Sequence, residues 1–157
     1  PQREKNLLEE KTAEYESFLG RKDPLFALDD LEDAMQKVMD NYAGGISTHY
    51  QFNEKQLALA AQKISRLEIL AGQTAAADMQ ELMHVYELKE RLTVCQSVIA
   101  HLGARKETRW HSFAENLDYP EKSDTWLRYV NSRKEDGTIH ILYRDLVGRE
   151  ETYEHRH

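Results

Sequence analysis

DMQELMHVYELKERLTVCQSVIAHLGAR, residues Asp78 to Arg105, contains no proline and a single glycine near its end. Its apolar residues recur at helical spacing: Leu82, Met83, Tyr86, Leu92, Cys95, Val98, Ile99 and Leu102 carry one side. Glu87 and Arg91 make a favourable i, i+4 pair on its surface, worth a few tenths of a kcal/mol. The segment is long for a helix of a globular domain, so the rest of a small chain has to pack along it.

Upstream lie three shorter helical stretches. From Gln2 to Leu19 the stripe is weak, with Leu7, Leu8, Tyr15, Phe18 and Leu19 in a field of Glu and Lys, and Gly20 and Pro24 stop it. The next is clearer: Leu31, Ala34, Met35, Val38, Met39 and Tyr42 fall on one helical face. Asp29 and Asp30 are its expected N-caps, and Gly44 and Gly45 its expected end. A third helix is expected to start at an Asn53 cap and to bury Leu57, Ala60, Ala61, Ile64, Leu67 and Ala71, with Gly72 breaking it. Helices of this length joined by short loops make an antiparallel bundle the default.

Downstream of Trp110 the helical period is lost. Asp118-Tyr119-Pro120 marks a turn. WLRYVNS (Trp126 to Ser132) and TIHILYR (Thr138 to Arg144) alternate with period two around an Asp136-Gly137 turn, which predicts a β-hairpin with Ile139, Ile141 and Tyr143 on one face. The fold expected is mainly α: an antiparallel bundle of three to four helices with a C-terminal β-hairpin. Residues 1–24 form an N-terminal helix and linker, 25–115 the bundle, 116–147 the turn and hairpin, and 148–157 a polar, flexible tail, all within one domain.

Composition narrows the function. The 157 residues suit one domain. With 31% charged residues and a net charge of −7, the chain lacks the cationic excess that binds nucleic acid or an anionic membrane surface. No apolar run approaches the ~20 residues of a membrane span. The single cysteine, Cys95, excludes an internal disulfide framework and points to a reducing, cytoplasmic setting. A first residue of Pro1 rather than Met suggests a processed product or part of a longer polypeptide.

Candidate chemistry is sparse. The seven histidines show no HExxH and no i, i+4 pair, so no metal site is expected. Cys95 lies on the apolar side of the long helix and reads as a buried thiol rather than a nucleophile. Met35, Met39, Met79 and Met83 read as core packing. Gly44-Gly45 with Ser47-Thr48 lacks phosphate-loop spacing, and no GxGxxG is present. One segment stands out: GARKETRWHSF (Gly103 to Phe113) puts Arg105, Lys106, Arg109 and Trp110 at the end of the long helix. Cations there suit the helix dipole. Arg105 and Arg109 are one turn apart, so with Trp110 they can also anchor a carboxylate or another protein surface.

LMHVYELKERLTVCQSVIAHLGARKETRW, then DYP, then WLRYVNSRKEDGTIHILYRDL, resembles the C-terminal helical domain of the succinate dehydrogenase/fumarate reductase flavoprotein family. The nearest branch is the adenylylsulfate reductase α-subunit. Glu107-Thr108-Arg109-Trp110 matches its ETRW-like motif, Asp118-Tyr119-Pro120 its aromatic-proline turn, and KVMDNYAGGISTHY its first helix–loop. The chain departs from that branch at His111 to Glu115, where a Pro-Gly pair and tyrosines are usual, and at Asn116, where an arginine is usual. These departures leave the substrate open among fumarate, succinate, adenylylsulfate and others.

The resemblance implies an FAD-dependent oxidoreductase whose flavin and substrate groups lie in preceding domains. These residues would hold no cofactor of their own and would be catalytically silent. They would pack on the flavin domain and help dock an iron–sulfur subunit for electron transfer. Arg109 and Trp110, with Arg105 and Lys106, are then the expected contacts. The polar and aromatic loop STHYQF, through His49, Tyr50 and Phe52, would face the same partners. The competing expectation is a free-standing helical adaptor that binds another protein. An enzyme in its own right is a third, weakened by the lack of a nucleophile–base or metal constellation.

Overall fold

The computed structural model describes residues 2–147, which form four α-helices and four short strands. In chain order these are α1 (Gln2–Leu19), α2 (Leu28–Tyr42), β1 (Gln51–Phe52), α3 (Glu54–Ala71), α4 (Met79–Ala104), β2 (Glu115–Asn116), β3 (Arg128–Glu135) and β4 (Thr138–Asp145). Short 3-10 turns lie at Ile46–Thr48 and Asp124–Trp126. The architecture is mainly α, an antiparallel helical bundle with a C-terminal hairpin. The tail expected from Gly148 onward lies outside the described residues.

Asn53 caps α3 as the sequence expects, and α4 has a side-chain cap of its own in Asp78. Asn53 accepts from Gln56 N–H at 2.8 Å, and Asp78 accepts from Gln80 and Glu81 N–H, both at 2.9 Å. The expectation for α2 is corrected. Its N-cap is Ala27, without a side-chain cap, and Asp29 and Asp30 sit inside the first turn, where they suit the dipole. At the other end Gly44 takes φ +71°, which a side chain would resist. Gly45 is needed for space instead: a Cβ there would lie 2.3 Å from Asp40 Cα.

The main core lies between α2, α3 and α4. Leu31, Met35 and Val38 meet Leu57, Ala60, Ile64, Leu67 and Ala71, and α4 closes the cluster with Leu88, Leu92, Cys95 and Ile99. Full burial of each large aliphatic contributes about 1.5–3 kcal/mol. A satellite cluster of Phe18, Ala76, Leu82 and Val85 fastens the end of α1 to α4. Arg21 reinforces it by donating to Thr74 O at 2.6 Å, and Phe18 O accepts from Ala76 N–H at 3.0 Å.

The buried side of α4 is Leu82, Val85, Leu88, Leu92, Cys95 and Ile99. It is rotated from the side read in the sequence. Val85 and Leu88 belong to it, whereas Met83 is 63% exposed and Val98 40% exposed. Met79 is also exposed, so of the four methionines only those of α2 pack inward. Apolar residues occur on more than one side of this helix, and period alone cannot choose among them.

The hairpin is antiparallel, pairing Arg128 with Asp145 through to Glu135 with Thr138. Its first strand runs three residues further toward the turn than the sequence pattern indicates, and its second begins at Thr138 as expected. Asp136 (φ +47°) and Gly137 (φ +78°) form the two-residue loop, as type I′ geometry requires. Ser132 Oγ meets Ser97 Oγ at 3.0 Å, and Lys134 Nζ donates to Thr93 Oγ1 at 2.9 Å, so this face of the ribbon lies on α4.

Candidate functional site

Beyond Ala104 the chain leaves helical geometry: Arg105 is extended at φ −86°, ψ 110°. Arg105 and Arg109 are therefore not successive turns of one helix. They converge all the same, because Glu107 lies between them with its side chain fully buried. Arg105 Nη1 donates to Glu107 Oε1 at 2.7 Å. Arg109 grips both carboxylate oxygens, and Ser123 N–H adds a bond at 3.0 Å. Burial alone would raise the Glu107 carboxyl. Arg109, the Ser123 N–H and Arg105 outweigh it and hold the carboxyl at about 2.

The same arginines tie down the base of the hairpin. Arg105 donates to Trp126 O at 2.8 Å and to Arg128 O at 2.9 Å, and Arg109 to Ser123 O at 3.1 Å. Thr108, also buried, donates from Oγ1 to Tyr119 O at 2.9 Å and accepts from Asn116 N–H at 3.0 Å. Asp118 reaches across to α3, where its carboxylate accepts from Glu54 N–H at 2.7 Å. The Asp-Tyr-Pro turn thus adds a second cap to α3 beside Asn53. Lys106 pairs with Glu54 and lies 5.3 Å from the Tyr119 ring.

The loop after Gly45 joins this corner. His49 and Tyr50 both have positive φ, 52° and 62°. β1 and β2 then pair in parallel: Glu115 N–H donates to Tyr50 O at 2.9 Å, and Leu117 N–H to Phe52 O at 2.8 Å. Phe52 is buried in the main core, so its place is inside this chain. His49 and Tyr50 stay exposed. The sequence gives no signal for the pairing, because each strand has two residues and its partner lies far along the chain.

Trp110 is 69% exposed, and Phe113, which sequence reading did not single out, is 74% exposed. The Phe113 ring lies 6.5 Å from that of Tyr50, so the two form an aromatic patch on the corner. A cleft of about 380 Å3 adjoins Trp110 and is lined by Phe52, Val98, His101, Leu102, Ala114 and Val130 among others. No cluster of three or more His, Cys, Asp or Glu residues suited to a metal occurs among the described residues. A dinucleotide would need a strand, a glycine turn and a helix N-terminus in sequence. Among the described residues the only longer strands are the two of the hairpin, and Arg105 and Arg109 are committed to Glu107. The described residues therefore do not form a dinucleotide-binding unit for FAD.

Residues 32–156 match the family described as the fumarate reductase flavoprotein C-terminus. The adenylylsulfate reductase subunit alpha of Megalodesulfovibrio gigas is 30% identical over 98 residues, which are 62% of this chain and 15% of that protein. The structure of adenylylsulfate reductase from the hyperthermophilic Archaeoglobus fulgidus gives a TM-score of 0.76 at 30% identity, covering 85% of this chain and 21% of that one. A variant of E. coli quinol fumarate reductase FrdA gives 0.75 at 19% identity, covering 96% and 26%, a likeness of fold. The chain thus spans between 15% and 26% of the length of these relatives.

Proposed function

Since the chain belongs to the fumarate reductase flavoprotein C-terminal family, we propose that it is the packing and docking domain of an FAD-dependent oxidoreductase of the fumarate reductase or adenylylsulfate reductase type. Its 157 residues act as one unit. FAD and the substrate-handling groups reside on polypeptide outside these residues. The domain packs on that flavin domain in the cytoplasm and helps hold an iron–sulfur subunit, which exchanges electrons with the flavin. None of the described helices is long and apolar enough to cross a membrane.

One observation supports this most: the Glu107 clamp engages the arginines and leaves Trp110, Phe113 and Tyr50 exposed on the corner it braces. Large exposed aromatics on a braced backbone are what a protein interface uses as anchors. Arg109 and Arg105 then act by holding Trp110 in place, and Lys106 and His49 sit at the margin of the contact.

Co-expression of the full chain with the flavin domain encoded alongside it tests the reading. A co-purifying complex with flavin absorbance is expected, and Trp110→Ala together with Phe113→Ala should weaken it by about tenfold or more. Failure of the unaltered chain to co-purify, or indifference of the complex to both substitutions, overturns it.

A further inference from the structure

On the other side of Trp110 a cleft of about 270 Å3 opens between the end of α4 and the base of the hairpin. Arg105, Arg109 and Arg128 line it with Trp110 and Trp126, and no carboxylate does. The Arg105 and Arg128 guanidinium groups lie 5.9 and 5.8 Å from the Trp126 ring. Glu107, buried behind the wall, neutralises one charge of the Arg105–Arg109 pair. Arg128 has no carboxylate partner among the described residues; its Nε donates to Thr125 O at 3.2 Å. Asp145 stands opposite it in register and Asp124 acts on Arg109 from a distance, yet neither lines the cleft.

A positive cleft is unexpected in a chain of net charge −7. Its remaining wall is apolar: Leu127, Tyr129 and Leu146, each about half exposed. Arg105 spends its N–H groups on Glu107 and on the Trp126 and Arg128 carbonyls, but Arg128, over the indole, uses only Nε and keeps its terminal N–H groups for a carboxylate. The hairpin base supplies apolar contact beside them. A small anion would leave that wall uncovered, and a nucleic-acid backbone would meet the acidic remainder of the surface.

We propose that this cleft docks an extended acidic peptide segment of another polypeptide, with a carboxylate on Arg128 and an apolar side chain against Trp126 and Leu127. The proposal rests on the docking role above and adds the chemistry of the segment received. The complex with the flavin domain, anchored through Trp110 and Phe113, is a separate measurement, so either claim can fail alone.

Fluorescein-labelled peptides of alternating Glu–Leu and alternating Lys–Leu, titrated against the full chain by anisotropy, give the test. Saturable binding of the Glu–Leu peptide alone is expected, weakened about tenfold by Arg128→Ala. Arg128→Glu should shift preference toward Lys–Leu. Neither change touches the Glu107 clamp, because Arg105 uses the Arg128 carbonyl, so circular dichroism and melting should stay as in the unaltered chain. Equal binding of both peptides, no binding, or binding unaltered in Arg128→Ala overturns the proposal. So does self-association through the cleft, seen as a dimer that Arg128→Glu dissolves. Truncation after Val147 that tightens Glu–Leu binding about tenfold would assign the cleft to the chain's own Glu150, Glu151 and Glu154, and would also overturn it.

Discussion

Arg109 holds Glu107 by both edges of its carboxylate: Nε donates to Oε1 and Nη2 to Oε2, each at 2.9 Å. The acceptor is fully buried, whereas Arg109 and Arg105 keep part of their side chains in solvent. Removing the carboxylate strands the cations less than removing the cations would strand the carboxylate. Glu107→Ala should therefore destabilise the chain by about 3 kcal/mol, the low end for breaking a buried ion pair, and Arg109→Ala by more. Urea denaturation of the variants measures both.

The pH dependence has a definite sign. Glu107 titrates at about 2 when folded, against an ordinary value of 4.5. A depressed carboxyl contributes stability that is fully present above the unfolded value and is lost as pH falls from about 4.5 toward 2. Glu14, hydrogen-bonded first by Lys11, is also held at about 2. It is partly exposed, so solvent weakens its share. Urea midpoints should fall steeply below pH ~4.5, and Glu107→Gln should flatten most of that slope.

The two adjacent glycines should respond differently to alanine. At Gly44 the cost is a left-handed residue with a Cβ, about 1 kcal/mol. At Gly45 the new atom collides with the α2 backbone at Asp40, so the loop must move and the loss should be larger, about 2–3 kcal/mol. Thermal melting ranks the pair, and equal losses would contradict the packing described.

Trp110→Ala and Phe113→Ala should leave stability within about 0.5 kcal/mol, because both side chains are mostly in solvent. Their effect belongs to association, measured with the flavin domain present. A melting point lowered by Trp110→Ala as much as by Glu107→Ala would assign the tryptophan a structural role instead.

Features governed by neighbours along the chain were legible from residues alone. The α2 stripe, the Asn53 cap, the start of α4 near Asp78 and the Asp136-Gly137 turn are each set within a few positions. What escaped depends on distant partners. Glu107 sits between two arginines in the sequence, and only the arrival of Ser123 and the hairpin base shows it as the buried centre. The rotation of α4 is decided by which helices flank it, so Leu88 was missed and Met83 included. Phe52 looked like a surface aromatic because its burial depends on the corner that β2 completes.

The bridge between Gln51 and Glu115 also bears on the order of assembly. Everything between those residues, α3 and α4 included, forms one closed loop of the chain. Two rungs of parallel ladder cannot compensate the entropy of closing it before both helices have condensed. The β1–β2 pairing is consequently expected to form after the helical core and to open before it. In a native-state hydrogen-exchange experiment the Glu115 and Leu117 amides should lose protection ahead of the helical core, at a denaturant concentration where Leu92 and Ile64 are still closed.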